Sequence, residues 1–172
     1  MQTIIDFFDH PFFIVVGGLA TLASLIAVVY TLFLVIKGVL PVWYRLGLGL
    51  SKREIAIFAE DEYDSLKAML VDSKIFQEDN IKQIDKKSIK KAEQVTLLLV
   101  HWKSFKSDID SILNIKKDSA ALIVYAPQDE GKIDSETLEK INLQRNSIIV
   151  NLRGRLLNDI LVCMITTSYE KE

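Results

Sequence analysis

The sequence predicts an α/β fold: a Rossmann-like or flavodoxin-like parallel sheet of about five strands, preceded by one N-terminal transmembrane helix. Three observations lead there. The 25 residues from Phe12 to Ile36 carry no charge, although charged side chains are frequent from Ser51 onward. The later part alternates short apolar runs with segments of helical spacing, the pattern of βα units. Two of the runs, "QVTLLLVHW" and "SAALIVYAP", are apolar without interruption, as strands buried on both faces of a parallel sheet require.

The uncharged run is longer than the roughly 20 residues that cross a bilayer at 1.5 Å per residue. Asp6 and Asp9 precede it where a signal peptide would want basic residues, so the segment is expected to be retained. Lys37, Arg45, Lys52 and Arg53 follow it, which by the positive-inside tendency places the C-terminal domain in the cytoplasm. The expected location is the cytoplasmic membrane, crossed once. Phe12 and Phe13 at one end and Trp43 and Tyr44 at the other suit the two interfaces. Gly17, Ala20, Thr21, Ser24, Ala27 and Thr31 recur at steps of three and four, a small-residue stripe that suits a passive anchor, helix association or a pore lining.

Residues 1–40 are therefore read as N-terminal flank and membrane helix, and 51–172 as the cytoplasmic domain. Between them, residues 41–50 read as an interfacial connector because Pro41, Gly47 and Gly49 interrupt helical pattern. About 120 residues remain for a core, which is sufficient.

Within the domain, "REIAIFA" predicts the first strand, and "DEYDSLKAMLVDSKIF" a helix through Leu66, Met69, Leu70 and Ile75. A brief second strand, "NIKQI", leads into "DKKSIKKAE", a solvated helix or loop. The third strand, "QVTLLLVHW", precedes "SDIDSILNIKK", a helix capped by Ser107 or Asp108. After the fourth strand, "SAALIVYAP", the pattern "DSETLEKINLQR" opens a helix at Asp134 or Ser135. "NSIIVNL" is the fifth strand, and Leu156, Leu157, Ile160, Leu161, Met164 and Ile165 cover one face of a final helix.

Net charge is −2, from 21 basic and 23 acidic side chains, which excludes a global bias toward nucleic acid; no binding of duplexes is expected. The single cysteine, Cys163, falls in an apolar helical pattern and reads as a core thiol. Two His and one Cys lack ligand spacing, which sets zinc aside, and no metal or cofactor is assigned. The domain's own glycines, Gly131 and Gly154, cannot make a GxGxxG or Walker loop, so a phosphate site would have to use side chains.

Open parallel sheets bind ligands at the carboxyl ends of their strands. There, Arg153 and Arg155 bracket Gly154 at a strand-to-helix turn and either converge on an anion or pair with Asp108, Asp129 or Asp159. Lys103, Ser104 and Lys106 add donors, and Trp102 adds a stacking surface for a base. The acidic run Glu60, Asp61, Glu62 and Asp64 reads as a solvated helix start, a ligand contact or a metal site. His101, without an identifiable nucleophile, reads as structural or ligand-contacting, and no catalytic residue is assigned.

The layout of one membrane helix, a connector and a compact Rossmann-like domain, with the segments "IIVNLRGRLLNDI" and "HWKSFKSD", resembles CRISPR-associated membrane proteins that carry a CARF domain. That resemblance implies a non-enzymatic antiviral effector whose domain senses a cyclic oligoadenylate, self-associates as a dimer or higher homo-oligomer, and perturbs or depolarises the bilayer. It would put Lys103, Ser104, Arg153, Gly154 and Arg155 near the ligand phosphates. Two other classes stay open: a TIR-like NAD-cleaving enzyme using Glu60 or Glu136, and a non-catalytic subunit that docks another protein.

Overall fold

A computed structural model describes residues 11–51 and 53–167. Asp6, Asp9, the rest of the N-terminal flank and Lys52 lie outside the described residues. The chain forms two compact units, Met1–Arg45 and Leu46–Glu172.

Helix α1 runs Pro11–Ser51, and its stretch Pro11–Pro41 is long and apolar enough to cross a membrane. From Ile14 to Pro41 its residues are exposed, as those of a helix solvated by lipid tails would be. The expected connector, 41–50, is itself helical: the helix passes through Pro41 and ends at Ser51. Proline at position 41 removes one backbone hydrogen bond, and the turns on either side still carry the helix. In the small-residue stripe, Thr21, Ser24 and Thr31 donate their hydroxyls to the carbonyls of Gly17, Ala20 and Ala27, each at 2.8 Å. Those donors are satisfied within the helix, which makes the stripe compatible with hydrocarbon.

The second unit is a five-stranded, wholly parallel sheet in the order β2-β1-β3-β4-β5. Its strands are β1 (Ile55–Phe58), β2 (Ile81–Gln83), β3 (Leu97–His101), β4 (Ala121–Tyr125) and β5 (Ser147–Val150). This is the flavodoxin-like doubly wound order. β1, β3 and β4 are buried at every position, as their uninterrupted apolar runs require.

Alternate residues of these strands feed two cores. Ile55, Ile57, Leu97, Leu99 and Ile123 pack against α2 (Tyr63–Asp72) and the last helix, through Leu66, Leu70, Leu156, Ile160 and Met164. Ala56, Phe58, Leu98, Val100, Leu122 and Val124 meet Trp102, Phe105, Ile109 and Ile112 on the other face. The elements on that side are a 3-10 segment at Lys86–Ala92, α3 (Trp102–Phe105), α4 (Ile109–Ile115) and α5 (Ser135–Asn142).

A short helix already starts at Trp102; the expected helix, α4, begins at Ile109 with Asp108 at its N-cap position, but Asp108 makes no side-chain capping bond. At α5 the expected cap forms, Asp134 accepting from the Thr137 amide at 2.9 Å. That bond holds the Asp134 carboxyl below its ordinary pKa.

The last helix, α6 (Arg153–Thr167), ends against the start of the domain. Arg53 donates to the Met164 carbonyl at 2.7 Å and to the Thr167 hydroxyl at 2.8 Å, placing a cation where the helix exposes unpaired carbonyls. Cys163 is buried in the first core, and burial pushes its thiol up to about 11, with Asp159 adding to the shift. A thiol so raised is a packing group, as its place in the apolar pattern implies.

Candidate functional site at the carboxyl edge of the sheet

In this strand order the crossovers leave β1 and β3 in opposite directions, opening a crevice at their carboxyl ends. The segments that border it are residues 59–62 after β1, 101–104 at the end of β3, 126–130 after β4 and 151–153 after β5.

His101 is the last residue of β3 and is 2% exposed. Its Nδ1 lies 2.9 Å from Ser104 Oγ and its Nε2 2.5 Å from Glu130 Oε2. An ionised carboxylate only accepts, so Nε2–H donates to Glu130, and Nδ1 shares a hydrogen bond with the Ser104 hydroxyl. Lys103 Nζ stands 3.5 Å from the other Glu130 oxygen. Glu130 thus ties the loop after β4 to the turn after β3, and Ser104 faces the imidazole on its other side. Neither partner of His101 was assigned to it from sequence. Ser104 sits three residues on, within reach once Trp102 starts a helix, while Glu130 is brought in only by the loop after β4.

Tyr125, at the end of β4, stands beside this group, its ring centroid 6.0 Å from that of His101. Arg153 covers Tyr125, with its guanidinium carbon 5.7 Å from the ring centroid. Nη2 of Arg153 donates to both the carbonyl and the hydroxyl of Ser65 at 2.8 Å. Its Nη1 is buried, makes no hydrogen bond and lies 3.8 Å from Glu62 Oε2. The result is a continuous polar seam from Glu62 through Arg153, Tyr125 and His101 to Glu130 and Lys103.

The residues anticipated as ligand contacts do not stay together. Lys103, Ser104 and Arg153 belong to the seam. Trp102 does not: it is 6% exposed and packed in the second core, so its faces are unavailable for stacking a base. A residue directly following a buried strand turned out to extend the core, because α3 begins there and folds back on the sheet. Arg155 leaves Arg153 and lines a shallow cleft of about 360 Å³ with Gln128, Asn151 and Asp159, since positions two apart on a helix point in opposed directions. The expected convergence of the two arginines therefore does not occur. Arg153 pairs with Glu62, not with Asp108, Asp129 or Asp159. Gly154 has open space where a side chain would stand, so no close approach demands glycine there, and Lys106 is exposed beyond α3.

The acidic run is used in ion pairs, Glu60 with Lys86 at 2.9 Å and Glu62 with Arg153. Among the described residues no group of three or more His, Cys, Asp or Glu is placed to hold a metal. Glu60 and Glu136 are exposed, the latter paired with Lys140 at 3.1 Å, and neither adjoins His101.

Neither protein-family models, nor curated proteins, nor solved structures provide a match to this chain.

Proposed function

We propose that this chain is a membrane-anchored sensor. Its α/β domain takes an anionic nucleotide at the carboxyl edge of the sheet, and self-association of the liganded chains perturbs the bilayer. A cyclic oligoadenylate is the ligand class suggested by the resemblance in layout. The supporting observation is Arg153: a guanidinium at the start of α6, stacked over Tyr125, with Nη1 buried, without a hydrogen bond and 3.8 Å from Glu62. A phosphate oxygen reaching Nη1 would replace Glu62 and move the loop that leads into α2. Binding would then be linked to a conformational change by the differential contacts of one residue.

The anchor is read as retained in the cytoplasmic membrane with the domain inside, supported by Lys37 and Arg45 on its C-terminal side. A cleaved signal sequence has the same apolar profile, and an epitope placed before Met1 separates the two by staying with the membrane-bound chain or being lost.

The test is calorimetric titration of the full chain in detergent with a panel of cyclic oligoadenylates, alongside Arg153→Ala. Saturable binding to one ring, weakened at least tenfold by the substitution, is the expected result. Heats at dilution level for every ring remove the nucleotide reading.

A second reading is favoured by the Ser104–His101–Glu130 arrangement, that of a serine nucleophile with base and orienting carboxylate. Ser104 Oγ would bond to the carbonyl carbon of an ester while its proton passes to His101 Nδ1. The same proton would leave with the alkoxide as the ester C–O bond breaks, and water would release the acid. Glu130 disfavours an anionic electrophile there, so a neutral acyl group is the class that fits. A fluorophosphonate probe that labels Ser104, and fails to label Ser104→Ala, supports this reading; an unlabelled folded chain ends it.

A further inference from the structure

Outside the seam, the surface feature with the most internal order is the outer flank of α6. Leu152, immediately before the helix, is 52% exposed and Val162 is 47% exposed. Between them lie Arg155, exposed, and Asp159, half-buried. At 100° per residue Arg155, Asp159 and Val162 fall on one stripe about 60° wide, and Leu152 precedes the helix by one residue. Their order along the chain is apolar, basic, acidic, apolar, and the spacing in sequence is symmetric about position 157. Among the described residues neither Arg155 nor Asp159 takes part in an ion pair.

We infer that this stripe is the contact surface for a second copy of the chain, with two α6 helices antiparallel across a two-fold axis level with Leu157. In that arrangement Arg155 faces the partner's Asp159 and Leu152 faces the partner's Val162, each contact occurring twice. Only a self-complementary pattern satisfies an isologous interface in this way, which is why the occupant is a second copy and not an unrelated protein. The adjoining sheet edge has matching character. β5 pairs with β4 on one side only, Ile148 and Ile149 are half-exposed, and they line the same cleft as Leu152, Arg155 and Asp159. The contact extends from the helix stripe onto that apolar edge.

The inference rests on the self-association in the functional reading and names the surface responsible for it. The test is the mass of the full chain in detergent by sedimentation velocity with light scattering. The unchanged chain is expected at twice the monomer mass. Arg155→Glu and Asp159→Lys each place like charges opposite one another and are expected at monomer mass; the double exchange Arg155→Glu/Asp159→Lys is expected to return to the dimer. Single exchanges that stay dimeric, or a double exchange that stays monomeric, overturn the surface. A second measurement fixes the direction of pairing: a chain with both Leu152→Cys and Val162→Cys cross-links on oxidation, while either substitution alone does not. Cross-linking by the single substitutions overturns the antiparallel pairing. Failure of nucleotide binding would be read in the calorimetry of Arg153 and would leave the charge-exchange pattern untouched.

Discussion

Two regions meet at the strand-to-helix turn after β5 and treat their charges in opposite ways. On the crevice side, Arg153, His101, Glu130 and Lys103 are held against one another over the sheet's central strands, and His101 is enclosed. On the outer flank, Arg155 and Asp159 stand without ion-pair partners among the described residues, between two exposed apolar side chains. The two arginines are separated by a single glycine, yet one completes a polar seam within the domain and the other is presented outward. Two neighbouring residues of one chemistry can thus belong to different functions, because the helix turns by about 100° at each step.

The largest expected effect comes from breaking the support beneath the crevice. Phe105 is fully buried and packs edge-to-face on Phe58 with ring centroids 5.6 Å apart. Phe105→Ala is expected to cost about 3–5 kcal/mol in denaturant unfolding of the full chain in detergent, and to loosen the turn that carries His101 and Ser104. Next comes the seam itself. Glu130→Ala leaves the enclosed His101 without its Nε2 partner, at a cost of about 1–3 kcal/mol in the same measurement, and Glu130→Gln recovers part of it.

A smaller effect is expected where the loop after β4 enters α5. The Asp134 carboxyl is depressed in the folded chain, so its stabilising contribution is present in full above the ordinary carboxylate pKa. That contribution is lost as pH falls through the depressed value. A thermal melt series over acidic pH should show the unchanged chain losing stability more steeply than Asp134→Ala. On the outer flank, Arg155→Ala is expected to change the unfolding free energy of the monomer by no more than about 0.5 kcal/mol, since no intramolecular ion pair is lost. A larger loss would show that Arg155 supports the fold and would weaken the contrast between the two regions.

Local pattern was enough to read much of the fold. Uninterrupted apolar runs marked β3 and β4 as central strands because only a strand covered on both faces needs every side chain apolar. The Asp134 cap was legible because it depends on a residue three positions away. Residues 41–50 were not: proline and glycine there weaken a helix, but whether they end it depends on the rest of the helix and its surroundings. Trp102 was misplaced for a related reason, since an aromatic residue after a strand serves equally well as ligand platform or as core, and only the path of α3 chooses between them.

By itself, the sequence determined the apolar span of α1, the parallel α/β class and the identity of the residues at the strand ends, because each depends on composition or on spacing within one element. Tertiary structure alone decided that Glu130 reaches His101 across 29 positions, that Arg153 lies over Tyr125 beside Glu62, and that Arg155 faces away from both. Those contacts join side chains from separate elements, and their geometry exists only once the sheet order has brought the ends of β1, β3, β4 and β5 to one edge.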